Sequence, residues 1–380
     1  MDDTAAEWGV LTAGLGLVAV AATESGLVNW VTPPTTVGPV SARAVVGVGF
    51  LAAVLAFSLA RHGTVTPRQS GLGAAAASAV AVLATLVAFF GPTFQAGGEM
   101  AIGVAPYLTA LIGAIAITLG RALAVGVSTD RLFTVARSLS VATLVGLVGY
   151  VVGALVAQFA LLGAMLAGLV SAGALEGGTV TGPAYLVITV GSGLGFIAFG
   201  AAVAWRLDRT WDDLDLTVPT LRDVGYVVGG VVVLLVALIA FSQALRLLGL
   251  EAATSSVEEL ARRNPSFLLL MVPLSFLTIG PSEEFLYRNL IQKYLYDSFG
   301  EVRAVVLTSA VFGVVHFSQY STGTPTQTLL SLLLVFVLST LLGASYLKTE
   351  NLLVPVFIHG AFNAIQFLTL YMEITGNLGL

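Results

Sequence analysis

The chain is built from long apolar runs, each near the length needed to cross a lipid bilayer. Of its 380 residues, 57% are hydrophobic and only 10% are charged, whereas soluble domains carry about 25% charged residues. A helix needs about 20 mostly apolar residues to span the hydrocarbon core. About eleven such runs predict an all-α, polytopic bundle of transmembrane helices. They lie near residues 8–23, 44–60, 72–90, 102–126, 138–172, 184–204, 224–245, 267–298, 303–318, 328–347 and 352–371.

The basic residues predict how this bundle is oriented. With these runs as spans, eleven arginines and lysines fall on one side of the membrane and four on the other. Because basic loops stay on the cytoplasmic side, we expect an integral protein of the cell membrane with a cytoplasmic N-terminus. The run at 138–172 is long for one helix, so it is either a tilted helix or two short pieces. The charged stretch at 245–264 predicts an interfacial helix on the outer side.

A change of composition near residues 208–215 divides the chain. Before it, the sequence is rich in Gly, Ala and Val, and every acidic residue can be assigned to a loop or a span end. Small residues let membrane helices approach closely, so residues 1–220 are interpreted as an N-terminal hydrophobic membrane region of unknown role. Residues 221–371 are predicted to form the functional domain, and residues 372–380 a C-terminal tail.

After this boundary, polar residues begin to enter the apolar runs. Glu283 and Glu284 lie inside the run at 267–298. A charged side chain there costs at least about 2.5 kcal/mol on the mildest insertion scale, and such residues are mostly paired and functional. Three pairs are spaced by four residues, which places both members of each on one helix face. The pairs are Glu284 and Arg288, Phe312 and His316, and His359 and Asn363.

The spacing separates the two glutamates. Glu284 has a helical partner in Arg288, and such an ion pair can be purely structural. Glu283 has Tyr287 at the corresponding position, so it lacks an ionic partner in its own helix and is the predicted working carboxylate. Because polar groups are costly in lipid, we expect the polar faces of the three helices to converge on one cavity.

These residues support two kinds of hydrolytic site. The chain has no cysteine, so any metal must be held by His, Asp or Glu. Glu283, His316 and His359 are a ligand set typical of hydrolytic zinc sites, which predicts a divalent metal such as Zn²⁺ as one possibility. Without a metal, Glu283 and His316 would act together as a general base on water. His359 and Asn363 would then donate to the oxyanion.

The same residues are also compatible with a different class of function. A transporter, or a non-enzymatic membrane scaffold, could use the carboxylates as a proton or cation relay. A relay more often strings acidic residues along several spans, and the first 220 residues supply no such string. Geometry separates the hypotheses, because hydrolysis requires the four candidate residues to share one cavity.

At these residues the chain resembles the CPBP family of intramembrane proteases, which contains CAAX prenyl endopeptidases and bacteriocin-processing or immunity proteins. The family's motifs are a glutamate pair followed by arginine, a phenylalanine four residues before a histidine, and a histidine four residues before asparagine or aspartate. All three occur in that order, at 283–288, 312–316 and 359–363. The resemblance covers roughly residues 220–371. The chain departs from many members at Asn289, where they carry glycine.

The resemblance implies an intramembrane endopeptidase of the CAAX-processing type, with its protease domain at residues 221–371. It implies that Glu283 activates water beside His316, and that His359 and Asn363 are oxyanion or metal-ligand partners. Its expected partners are the lipid bilayer and a membrane-associated peptide or protein substrate, and no nucleic acid. The residues in supporting positions are Glu284, Arg288 and Phe312.

Overall fold

Within the residues that the structure describes, the protein is almost wholly helical, and the predicted all-α class is confirmed. The computed structural model describes residues 4–24, 36–37, 40–96, 104–171, 180–320 and 323–376. The helices are α1 (Thr4–Glu24), α2 (Ala42–Arg61), α3 (Pro67–Ala96), α4 (Val104–Val125), α5 (Thr129–Leu166), α6 (Gly182–Arg206), α7 (Leu221–Leu247), α8 (Ser256–Arg263), α9 (Phe267–Leu274), α10 (Gly280–Glu284), α11 (Lys293–Phe299), α12 (Glu301–Val315), α13 (Pro325–Thr349) and α14 (Leu353–Ile374). Two short strands, β1 (Thr36–Val37) and β2 (Val40–Ser41), pair antiparallel.

The helices of the described chain follow the predicted apolar runs. Eight are long and apolar enough to cross a membrane, and shorter apolar stretches lie at Ala5–Val18 and Ile112–Val125. The protein is therefore an integral membrane protein, and the prediction of about eleven spans agrees with this arrangement. The long run that begins at residue 138 belongs to one helix, α5, rather than to two pieces. The charged stretch at 245–264 does contain a helix, α8, while its position on the outer side stays a prediction.

Contacts divide the described chain into two compact units, Met1–Ala136 and Arg137–Leu380. The predicted division near residue 220 rests on composition, and it stays a prediction. Of the predicted tail, residues 377–380 lie outside the described residues. In the first unit, aromatic rings of one helix pack directly against glycines of a neighbouring helix. A Cβ on Gly9 would lie 2.3 Å from the ring of Phe57. Small residues thus permit close helix packing there, as the composition indicates.

In the second unit, the span Phe267–Phe299 carries both glutamates, and we call it the glutamate helix. It consists of α9, α10 and α11, joined by π-helical segments at Ser275–Ile279 and Phe285–Gln292. Glu283 and Glu284 thus lie in a single α-helical turn between two π-helical segments. Such π segments are rare and are often found at functional sites. Gly300, with φ of +75°, ends the helix and allows α12 to begin at once.

Two glycines bring α14 against the glutamate helix. A Cβ on Gly280 would lie 2.9 Å from the carbonyl oxygen of Val356, and one on Gly360 would lie 2.7 Å from the ring of Phe276. Contacts of this kind leave no room for a larger side chain. The two backbones therefore approach closely next to His359, one residue before Gly360.

Buried apolar side chains fix the remaining helices around this contact. One cluster joins the glutamate helix to α6 and α12, and a second joins α7, α13 and α14. The glutamate helix is consequently held on several sides, which limits the movement of the polar side chains that it carries. Members of the first cluster are Leu286, Tyr287, Ile291, Leu295 and Phe312, and members of the second are Leu234, Leu342, Val354, Ile358 and Phe362.

Candidate active site

Glu284, Arg288 and His359 form a buried network. The side chains of Glu284 and Arg288 are both 0% exposed, and Arg288 Nε donates to Glu284 Oε2 at 2.8 Å. The other oxygen, Oε1, lies 2.8 Å from Nδ1 of His359. A carboxylate that binds one imidazole nitrogen fixes the orientation of the ring and leaves the other nitrogen for chemistry. Glu284 is thus more than the partner of Arg288, because it also positions His359.

The guanidinium of Arg288 has further contacts. Nη2 donates to Ser339 Oγ at 3.0 Å, and the group lies 5.3 Å from the ring centroid of Phe312. Nη1 is buried and has no hydrogen-bond partner within the described residues. These contacts link the glutamate helix to α12 and α13 through one side chain.

Glu283 faces His316. Glu283 Oε2 lies 4.0 Å from Nε2 of His316, and both side chains are only about one-fifth exposed, at 18% and 20%. The opposite ring nitrogen, Nδ1, lies 2.7 Å from the carbonyl oxygen of Phe312. Nε2 is therefore the nitrogen directed toward the glutamate. Glu283 Oε2 is buried and has no hydrogen-bond partner within the described residues.

A cavity of about 740 Å³ brings the predicted residues together. It is lined by the four residues predicted to be catalytic, which are Glu283, His316, His359 and Asn363, and by the supporting residue Phe312. Glu284, which was expected to converge with them, does not line the cavity; it contacts His359, which does. The condition that the hydrolysis hypothesis set, one shared cavity, is met by this arrangement.

Phe312 connects the two halves of the site. Its ring lies 4.4 Å from the ring of His316 and 6.3 Å from that of His359, measured between centroids. It also meets Tyr287 edge-on, at 4.9 Å. One aromatic side chain thus contacts both histidines. The four-residue spacing in the sequence indicated the contact with His316 but not the one with His359.

Tyr287 is a cavity residue that sequence reasoning did not select. Its side chain is 1% exposed, its hydroxyl has no hydrogen-bond partner within the described residues, and it lines the cavity with Glu283. Buried hydroxyls are normally paired, so an orphaned one beside polar residues marks a place where a ligand can bind. The signal was present in the sequence, because Tyr287 lies four residues after Glu283 on the same helical face.

Asn289, the departure from the motif, has a structural partner in the linker near residues 208–215. Its Nδ2 donates to the carbonyl oxygen of Asp213 at 2.8 Å and to the hydroxyl of Tyr346 at 3.1 Å. Lys293 Nζ donates to the same carbonyl oxygen and to Asp215 Oδ2, both at 2.9 Å. The charged linker is therefore bound to the glutamate helix one turn beyond the site. Glycine at position 289 would lack the two hydrogen bonds that Asn289 donates.

The predicted metal-ligand set is not assembled. Within the described residues, no group of three or more His, Asp or Glu side chains is arranged to hold a metal ion. Glu283 Oε2 and His316 Nε2 face each other at 4.0 Å, while the bond from His359 Nδ1 to Glu284 leaves Nε2 of that ring for any further partner. The divalent metal therefore stays a prediction, and the chemistry below is derived for the side chains alone.

The all-α membrane bundle places the polar residues of three helices around one cavity, which is the arrangement that hydrolysis inside a membrane requires. Residues 265–365 match the family model described as Type II CAAX prenyl endopeptidase Rce1-like. Residues 265–365 are thus similar to the CAAX protease family, and the resemblance stated from the motifs is confirmed. The match includes all three motifs and supports a CAAX-type intramembrane protease. No curated protein and no solved structure was found to match the chain.

Proposed function

We propose that the protein is an endopeptidase that hydrolyses peptide bonds of membrane-associated proteins or peptides in this cavity. The observation that carries the proposal is that Glu283 and His316 face each other in the cavity that His359 and Asn363 also line. The family of residues 265–365 supports the same reaction class. The cell membrane as location, and a cytoplasmic N-terminus, stay predictions from the basic loops.

The reaction begins with a water molecule between Glu283 and His316. Their 4.0 Å separation is too long for a direct hydrogen bond, so a bridging water suits it. Glu283 takes a proton from the water while the oxygen attacks the peptide carbonyl carbon. The tetrahedral intermediate collapses, the C–N bond breaks, and the proton passes to the leaving amine. One peptide bond and one water thus yield a carboxylic acid and an amine.

Donors that line the same cavity would stabilise the oxyanion. With Nδ1 bound to Glu284, His359 presents Nε2 to the substrate, and the protonated ring can donate from it. Asn363 lines the same cavity one turn further along α14, and its amide supplies N–H donors. The unpaired hydroxyl of Tyr287 is a third donor. Three donors on two helices would hold the carbonyl oxygen that gains charge.

We expect Tyr287→Phe to lower kcat by about 10- to 100-fold, somewhat less than the 10²–10³ of removing a principal oxyanion donor. Phenylalanine keeps the ring that packs on Phe312 and removes only the hydroxyl. The measurement is steady-state cleavage of one peptide, with kcat and KM resolved. Tyr294→Phe, the same change outside the cavity, is the control. A kcat equal to that of the unmodified protein would remove Tyr287 from the mechanism.

Hydrolysis itself is tested in liposomes prepared in H₂¹⁸O. Purified protein is mixed with membrane-anchored peptides, each made with and without a prenyl group, and products are read by mass spectrometry. Hydrolysis puts one ¹⁸O into the new carboxyl group. Comparison of the two peptide forms determines whether prenylation is needed. If no peptide is cleaved, and a pH dye inside the liposomes reports proton flux that depends on Glu283, the relay hypothesis replaces this proposal.

We expect cleavage to persist after treatment with a metal chelator, since the side chains alone complete the reaction described above. The measurement is the cleavage rate before and after dialysis against 1,10-phenanthroline, with metal analysis of the same samples. Loss of activity that Zn²⁺ restores would contradict this expectation. It would mean that Glu283, His316 and His359 rearrange to form the predicted ligand set.

A further inference from the structure

A second cavity, of about 410 Å³, lies between α7 and α13, and Leu234 is the lining residue that it shares with the candidate active-site cavity. Its walls are apolar along most of its length, and the described residues that line it include no acidic side chain. Arg222, at the start of α7, and Lys348, near the end of α13, lie together at one end. Residues along the walls include Gly225, Tyr226, Gly229, Val233, Leu341 and Ala344.

Glycines on α7 keep this groove open. A Cβ on Gly225 or on Gly229 would have no atom within 4 Å, so these positions face empty space rather than a neighbouring helix. Gly230 is different, because a Cβ there would lie 2.5 Å from Ile358. The tight contact that joins α7 to α14 therefore uses Gly230, and Gly225 and Gly229 have no such packing role.

Arg222 is held at the end of the groove by contacts within the protein. Arg222 Nη2 donates to the carbonyl oxygen of Lys348 at 3.1 Å, which uses one of its five N–H donors. Its guanidinium lies 5.5 Å from the ring centroid of Tyr226, a lining residue. The neighbouring carboxylate of Asp223 accepts two hydrogen bonds from Thr220, at 2.8 Å each. That acid is therefore engaged in capping α7.

The length of the groove matches one leaflet of a bilayer. From Arg222 to Val233, α7 rises about 16 Å at 1.5 Å per residue. Half of a hydrocarbon core of about 30 Å is about 15 Å. An acyl chain that starts beside Arg222 would therefore reach the bilayer midplane near Val233.

We infer that this groove binds one anionic glycerophospholipid. Its phosphate would accept hydrogen bonds from Arg222 and Lys348, and one acyl chain would lie over Gly225 and Gly229. Charge complementarity selects this occupant, because basic residues near a membrane surface attract anionic lipids and arginine binds phosphate oxygens well. The inference does not depend on the proposed protease activity, since lipid binding is measured without cleavage.

The groove is tested by filling it. Gly229→Leu places a side chain in open space, and Gly163→Leu, on α5, is the matched control because a Cβ there also has no atom within 4 Å. Delipidated protein is titrated with phosphatidylglycerol or phosphatidylcholine in detergent, and bound lipid is counted by native mass spectrometry. We expect Gly229→Leu to raise the Kd for phosphatidylglycerol by at least about tenfold while Gly163→Leu leaves it unchanged. Equal Kd values in both variants would overturn the proposal.

The charged end is tested separately. We expect Arg222→Ala combined with Lys348→Ala to raise the Kd for phosphatidylglycerol by roughly thirtyfold, from the usual contribution of two basic residues near a membrane surface. The Kd for phosphatidylcholine should change little. Equal affinity of the unmodified protein for the two lipids would contradict an anionic-lipid site. Competition by glycerol phosphate alone, as strong as by the whole lipid, would instead indicate a simple phosphate site.

Discussion

Replacing Glu283 by glutamine is expected to lower kcat by about 10²–10⁴-fold, the usual contribution of a general base. Glutamine has nearly the same shape but cannot accept a proton from water. Since Glu283 Oε2 has no hydrogen-bond partner within the described residues, the change breaks no hydrogen bond at that oxygen. The thermal midpoint in detergent should therefore stay close to that of the unmodified protein. The measurement pairs a cleavage assay with thermal unfolding of the same preparation.

Glu373→Gln is the matched control for this variant. Glu373 lines the same cavity but lies ten residues beyond Asn363 on α14, away from the two histidines in sequence. It should keep its activity if Glu283 acts through its position rather than through the overall charge of the cavity. Glu283→Gln with full activity would eliminate the proposed mechanism, and equal losses in both variants would point to a general electrostatic effect.

The fold could be predicted because the bilayer leaves so few alternatives. Length and hydropathy alone located the runs that became α5, α6 and α7, since an apolar run in lipid must satisfy its backbone internally. They could not predict the division of contacts after Ala136, because that depends on which helices pack together. The π-helical segments on either side of Glu283 could not be predicted from the sequence either. Such a segment inserts one residue per turn, and no residue type marks it as proline marks a kink.

The site shows the same division between local and long-range information. Four-residue spacing is local, so it correctly paired Glu284 with Arg288 along one helix. The bond from His359 to Glu284 joins residues 75 positions apart, and it depends on the close approach at Gly280 and Gly360. No sequence pattern reports such a contact. The sequence therefore predicted Glu284 mainly as the ion-pair partner of Arg288, whereas the structure also shows its contact with His359.

Replacing Arg288 by methionine is expected to lower the free energy of unfolding by about 3–5 kcal/mol, the usual result of removing one partner from a buried ion pair. Methionine fills much of the same volume, so the loss comes from charge rather than from a cavity. Glu284 would then remain fully buried without its arginine partner, with only His359 beside it, and the hydrogen bond to Ser339 would also be lost. The measurement is the equilibrium unfolding of purified protein in mixed detergent micelles. A loss below about 1 kcal/mol would show that Arg288 does not compensate Glu284.

Adding Glu284→Gln to Arg288→Met separates charge from packing. The double variant no longer buries a carboxylate without its arginine, so most of the lost unfolding free energy should return, giving a coupling energy of roughly 2–3 kcal/mol in the cycle. A glutamine oxygen can still accept a hydrogen bond from Nδ1 of His359, so part of the activity should survive. Strictly additive losses would mean that the two side chains stabilise the protein independently. Recovered stability with no activity would instead indicate that a negative charge beside His359 is required for the reaction itself.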